Sequence, residues 1–211
     1  MPDHRAAVRH LRRSDPVMDS IIKRVGPCLL GDPSDRGGPA ADHYGALVRS
    51  IVGQQVSVHA ARSMLARLHE RFGGRTPTSA EILADDPEEL RAAAGLSRSK
   101  AAFLRDLAEA VSSGALVLEE LDALPDAQVA EQLVQVRGIG QWTVDMFLIF
   151  HLGRPDVLPV GDLGLRRAAQ LAYGLRKLPE PPRLVRLARP WRPWRSVATW
   201  YLWASLRVQP A

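Results

Sequence analysis

Asp162 ends a stretch dense in glycine and proline, GRPDVLPVG at 153–161, and directly precedes an apolar periodic run at 163–173. A carboxylate at such a point has two uses. It can cap the following helix by accepting from its first amides. It can also stand beside a reacting centre, where its charge stabilises growing positive charge and an oxygen takes a proton from water. The residues alone leave both readings open.

A second candidate is the segment LVQVRGIGQWTVDMFLIF at 133–150, in which one helical run ends at Gly138-Ile139-Gly140 and another begins at once. Two glycines one residue apart allow a tight turn and a close approach to another surface, while Ile139 anchors the turn. Amides at the start of the second helix, sharpened by its dipole, form a phosphate site that is blind to base identity. Arg137, Gly138, Gly140 and Thr143 are the candidate contacts. The plainer reading is a glycine helix stop followed by a buried helix.

Trp200 and Trp203, at helical spacing, read first as core residues. Gln54-Gln55 forms a polar break between apolar runs, with Ser57 placed as the N-cap of the second run. Six histidines show no paired-ligand spacing, so a catalytic metal is not implied.

The elements that must position these residues are helical, because apolar residues recur with a period near 3.6 and no run alternates like a strand. Helices are expected at 43–52, 57–72, 98–113, 126–134, 141–152, 163–173 and 193–206, with a short one between Asp86-Pro87 and Gly95. Ser97 and Asp86 are N-caps by type, and Gly114 and Gly95 are glycine stops. The stretch 32–40, rich in Gly, Pro and Asp, reads as a linker after an N-terminal helical segment. The fold class is all-α, expected as two helical lobes: one at 41–160, the other made of about 1–38 plus 161–211.

Composition bounds the rest. The 211 residues carry 28 Lys and Arg against 23 Asp and Glu, net +5, and only three of the cations are lysine. That balance favours a polyanionic partner, although a GC-rich genome also enriches arginine. Cys28 is the sole cysteine, which excludes an internal disulfide and a cysteine-ligated zinc or iron-sulfur site. No apolar stretch reaches bilayer length. A cytoplasmic, bacterial, monomeric protein is the expectation.

Taken in order, hairpin, helix, Gly/Pro loop and Asp162 resemble the HhH-GPD superfamily of DNA glycosylases. IVGQQVSVHAA, GLSRSKAAFLRDLA, GIGQWT and WRPWRSVATWYLW are similar to its alkylation-repair branch, the 3-methyladenine DNA glycosylase II type, collinearly over about 40–206. The chain reads as the compact form, without the N-terminal β domain of longer members.

The resemblance implies a helix-hairpin-helix that grips double-stranded DNA, a base-binding cleft and Asp162 as the catalytic aspartate. Trp142, Met146, Leu163 and Trp203 would line the base pocket. Gln55 would be the wedge that fills the space of a flipped nucleotide, with Gln54 and Ser57 beside it on the DNA. Trp142 stands where bifunctional relatives carry a lysine nucleophile, which implies N-glycosyl hydrolysis without lyase activity. Met146 and Leu163 replace tyrosines often found in relatives, implying tolerance of larger alkylated bases such as ethenoadenine besides 3-methyladenine and 7-methylguanine. No cofactor is required, although a structural Na+ or K+ is implied at the hairpin on the carbonyls of Val134, Val136 and Ile139. The alternatives are a DNA-gripping module in which Asp162 merely caps its helix, an oxidised-guanine glycosylase/lyase of the same fold, and a helix-turn-helix regulator.

Overall fold

Side-chain caps and glycine stops cut the chain into short helices. In the computed structural model, which describes residues 3–32, 40 and 42–208, the regular elements among these residues are all helical. They are α1 (Arg5–Ser14), α2 (Pro16–Val25), α3 (His43–Gly53), α4 (Val58–Arg71), α5 (Ser79–Ala84), α6 (Pro87–Ala94), α7 (Arg98–Ser112), α8 (Asp126–Leu133), α9 (Gln141–Phe150), α10 (Leu163–Ala172), α11 (Pro181–Leu187) and α12 (Arg195–Ser205), with 3-10 turns at Leu118–Glu120 and Arg189–Trp191. The expected linker at 32–40 lies mostly outside the described residues.

The expected caps are in place. Ser97 accepts from the Lys100 amide, and Asp86 accepts from the amides of Glu88 and Glu89 at the start of α6, which Gly95 closes in the left-handed conformation. Three helices depart from expectation. The last begins at Arg195 rather than 193, because the residues before it form a 3-10 turn and Arg192 is extended. The proline-rich stretch before it, for which no helix was expected, folds as α11, since a proline at the first helical position carries no amide the helix would have used. Helix α5 was not anticipated, yet Thr78 and Glu81 form a complete capping box whose four-residue pattern is visible in the sequence.

The chain divides into two compact units, residues 1–35 with 148–211 and residues 36–147. The division falls inside α9, ahead of the 160/161 boundary expected from the loop.

In the first unit, α1, α2, α10, α11 and α12 enclose Leu11, Met18, Leu165, Leu184, Trp191, Tyr201 and Leu202, each buried. Asp15 ties this core together. Buried itself, it caps α2 at the Val17 amide and accepts from the Tyr173 hydroxyl at 2.5 Å and the Trp191 indole at 2.9 Å. Burial, with Asp15 beside it, pushes the Tyr173 phenol well above the usual tyrosine range. Several donors offset the cost of burying this carboxylate.

In the second unit, α3 to α8 surround Leu47, Ile51, Leu68, Ile82, Leu90, Leu104 and Leu107. Arg71 makes a two-pronged pair with Asp85 at 2.6 Å, and Arg105 donates to the carbonyl oxygens of Ile82 and Asp85, where α5 ends. The guanidinium of Arg71 holds the Asp85 carboxyl below the usual carboxylate range.

Candidate active site

Asp162 is a helix cap and something more. Its Oδ1 accepts from the Leu165 amide at 2.6 Å, which makes it the N-cap of α10 as its position suggested. The same oxygen accepts from the indole N–H of Trp203 at 2.8 Å. A cap alone needs no second donor from a distant helix. Two donors meeting on one oxygen fix the carboxylate plane, as a group that acts by its charge requires.

Helix α12 holds this aspartate from two directions. Its first turn pins the preceding loop: Ser196 Oγ donates to the Arg154 carbonyl oxygen at 2.6 Å and accepts from the Val157 amide at 3.0 Å. Arg195 forks onto the Asp156 carboxylate at 2.7 and 3.0 Å. Two turns later the same helix presents Trp203. The Gly/Pro loop is thus fastened at its start and its end to one rigid element.

Gly164 makes the approach possible. A Cβ there would stand 3.1 Å from Asp162 Oδ1, closer than most side chains tolerate, and in ordinary contact with the Trp203 indole at 3.5 Å. On its other side Trp203 stacks on Phe150, ring centres 5.7 Å apart and planes 20° from parallel. Sequence reasoning missed Phe150 and Gly164, and no local pattern marks either.

Of the expected pocket residues, Leu163 and Trp203 belong with Asp162 to the first unit, whereas Trp142 and Met146 belong to the second. Leu163 is largely exposed at 64%, and Trp203 is buried. Trp142 is half-exposed on the first turn of α9, and Met146, one turn on, is buried.

The hairpin has the expected form. Gly138 has φ +90°, and a Cβ on it would lie 2.1 Å from the Phe103 ring, so both its conformation and its surroundings demand glycine. Gly140 differs, with open space where its Cβ would be and no positive φ. Ile139 is buried as the anchor of the turn.

The remaining candidates separate. Gln55 is exposed with φ +55°, a left-handed conformation that non-glycine residues adopt at a cost and that functional sites often retain. Gln54 turns inward, donating through Nε2 to the Gly138 carbonyl oxygen at 2.7 Å and to Thr143 Oγ1 at 3.1 Å. Expected to touch DNA, it ties the polar break to the hairpin. Thr143, also expected on the DNA, is 2% exposed, and its hydroxyl oxygen accepts from Gln54. Helix rotation, invisible in a short motif, turned it inward. Ser57 caps α4 through the Ala60 amide. Arg137 is exposed and paired with Asp106 at 2.6 Å.

Lys100, not anticipated, is buried with Nζ donating to the Val52 carbonyl oxygen at 2.8 Å. It holds the last turn of α3, just before Gln54-Gln55, where the negative end of the helix dipole suits a cation. Burial pulls its ammonium below the usual lysine range. Among the described residues no cluster of His, Cys, Asp or Glu could hold a metal ion, and no helix is long and apolar enough to cross a membrane.

Residues 48–193 match the HhH-GPD superfamily base excision DNA repair protein family. The chain is 33% identical over 201 residues to DNA-3-methyladenine glycosylase 1 of Schizosaccharomyces pombe, covering 94% of this chain and 86% of that protein. It is 30% identical to the alkylbase DNA glycosidase-like protein mag2 of the same yeast, covering 95% and 93%. The solved structure of the S. pombe 3-methyladenine DNA glycosylase in complex with abasic DNA superposes with a TM-score of 0.85 at 34% identity, covering 94% of this chain and 95% of that one. With its hairpin, its Gly/Pro loop and the aspartate that follows, this chain belongs to the HhH-GPD superfamily of base excision DNA repair proteins.

Proposed function

We propose that the chain is a monofunctional DNA glycosylase that takes alkylated bases out of duplex DNA and hydrolyses their N-glycosidic bond, with Asp162 as the catalytic carboxylate. The observation that carries this reading is the pair of donors, Leu165 N–H and Trp203 Nε1–H, that fix Asp162 at the end of the Gly/Pro loop. The relatives named as 3-methyladenine glycosylases support the substrate class.

As the C1′–N bond breaks, its electron pair leaves with the base and positive charge grows on the sugar. Asp162 stabilises that charge electrostatically and accepts the proton of the water whose oxygen bonds to C1′. A base made cationic by alkylation leaves as a neutral molecule, so it needs less help than an ordinary one. Trp142 and Trp203 supply aromatic faces suited to a cationic ring, a contact worth about 2 kcal/mol when desolvated. Met146 and Leu163 adapt to larger adducts, extending the range from 3-methyladenine and 7-methylguanine toward ethenoadenine.

Trp142, where a lyase would need its amine, cannot form a Schiff base with the sugar. Gln55, exposed in its left-handed turn, fills the space left by the flipped nucleotide and offsets part of the few kcal/mol that flipping costs. The carbonyl oxygens of Val134, Val136 and Ile139, at the negative end of α8, are hard donors that suit Na+ or K+. Such an ion would steady the hairpin and add positive potential for a phosphate.

The test is Asp162→Asn, since asparagine caps a helix about as well as aspartate and the fold should survive. Single-turnover base release from alkylated duplex should fall at least a hundredfold while binding to abasic duplex persists. Release at the wild-type rate would reject the assignment.

A further inference from the structure

The charges of the chain are sorted between its two units. Residues 1–35 and 148–211 hold 17 Lys and Arg against eight Asp and Glu, net +9, whereas residues 36–147 hold 11 against 15, net −4. The unit that carries the hairpin is therefore the acidic one. The hairpin amides would act on a phosphate only at hydrogen-bond range, and the unit's net charge does not draw a polyanion from a distance. That attraction must come from the other unit. An arginine-rich genome would raise cations throughout, and would not sort them in this way.

Within the basic unit one segment stands out. The sequence RLVRLARPWRPWR places arginine at every third position from 183 to 195. Three residues nearly complete a turn of α-helix and fully complete a 3-10 turn, so across α11 and Arg189–Trp191 these side chains fall toward a shared side. Leu184, Ala188 and Trp191 are buried beneath, which fixes the segment to the core.

Arg183, Arg186 and Arg189 are exposed. The nearby carboxylates have other partners: Glu180 pairs with Arg166 at 3.0 Å, and Asp156 with Arg195 at 2.7 Å and Arg192 at 3.2 Å. Among the described residues no acidic side chain pairs with the three exposed arginines.

We propose that Arg183, Arg186 and Arg189 form a second phosphate-binding surface, separate from the hairpin, which captures undamaged duplex by its charge. This rests on the reading of the chain as an enzyme of duplex DNA. Guanidinium forks match phosphate oxygens and carry no base preference, so the strip serves capture rather than lesion choice.

The experiment compares the full chain with two triple variants, R183Q/R186Q/R189Q and R183K/R186K/R189K, by fluorescence anisotropy on an undamaged duplex across a range of NaCl. Each phosphate that is no longer neutralised reduces the slope of log K against log salt by about 0.9, so the glutamine variant should have a slope shallower by about two to three. The lysine variant should keep the wild-type slope. All three proteins should release base from alkylated duplex at equal rates in single turnover at saturating enzyme. A wild-type slope in the glutamine variant would overturn the proposal, as would a shallower slope in both variants, which marks a packing role. If the wild type released no base at all, the glycosylase reading would fall while the salt slopes still judged the strip.

Discussion

The indole N–H of Trp203 reaches Asp162 Oδ1 at 2.8 Å, across 41 positions of sequence. Trp203 therefore does two things at once: its N–H holds the Asp162 carboxylate, and its ring lies against Phe150. The two roles can be separated. Trp203→Phe keeps an aromatic ring for Phe150 while removing the N–H donor and part of the buried ring volume. A hydrogen bond to a charged group is worth about 1.5–3 kcal/mol, so single-turnover base release should drop about tenfold to a hundredfold. The thermal midpoint should move by only a few degrees. An unchanged rate would mean that the amide of Leu165 alone fixes Asp162.

Gly164→Ala should separate stability from activity. Alanine is the better helix former by up to about 1 kcal/mol, and thermal unfolding should show a protein as stable as the wild type or slightly more so. Its Cβ, however, would crowd Asp162 Oδ1. Base release should fall at least tenfold with affinity for abasic duplex retained. Full activity would show that the carboxylate tolerates a shift of a few tenths of an ångström.

Gly138→Ala should fail differently. The new methyl would overlap the Phe103 ring, on a backbone whose φ of +90° already disfavours alanine. A destabilisation of about 2–4 kcal/mol is expected in urea unfolding, together with loss of duplex binding. Adding Phe103→Ala should recover part of the stability by making room, without easing the backbone. A double variant no better than the single one would show that φ alone sets the cost.

Lys100 gives a pH signature. Its ordinary value is 10.5, and burial lowers it in the folded protein. Between the lowered value and 10.5 the unfolded chain holds more protons than the folded one, so stability rises with pH across that window. Below the lowered value the cost of burying the ammonium is felt in full. Lys100→Met should remove this rise, leaving unfolding free energies at pH 8 and pH 10 closer together than in the wild type. It should also release the end of α3 and slow base release through the Gln54-Gln55 turn. Equal pH dependence in both proteins would exclude Lys100 as the source.

Local chemistry made much of the fold legible. Ser97, Asp86 and Asp162 cap helices because a short oxygen-bearing side chain can reach amides two or three residues on, and Gly95 closes α6 because it enters the left-handed conformation freely. These interactions span few residues, so residue type and spacing specify them. The hairpin was readable for the same reason. The all-helical class followed from periodicity, and the order of hairpin, loop and aspartate pointed to the family.

What tertiary structure alone decided was which distant groups meet. Asp15 joins Tyr173 and Trp191 from 158 and 176 positions away, Gln54 meets the hairpin across 84 positions, and Lys100 reaches α3 across 48. Thr143, read as a DNA contact, faces inward because the rotation of α9 is set by everything that helix packs against. By itself the sequence determined that a carboxylate follows the Gly/Pro loop and caps a helix. That this carboxylate is also held by Trp203, through a gap kept open by Gly164, was decided by the docking of α12 on α10, since a hydrogen bond between distant residues forms only when the folded core brings both ends within about 3 Å.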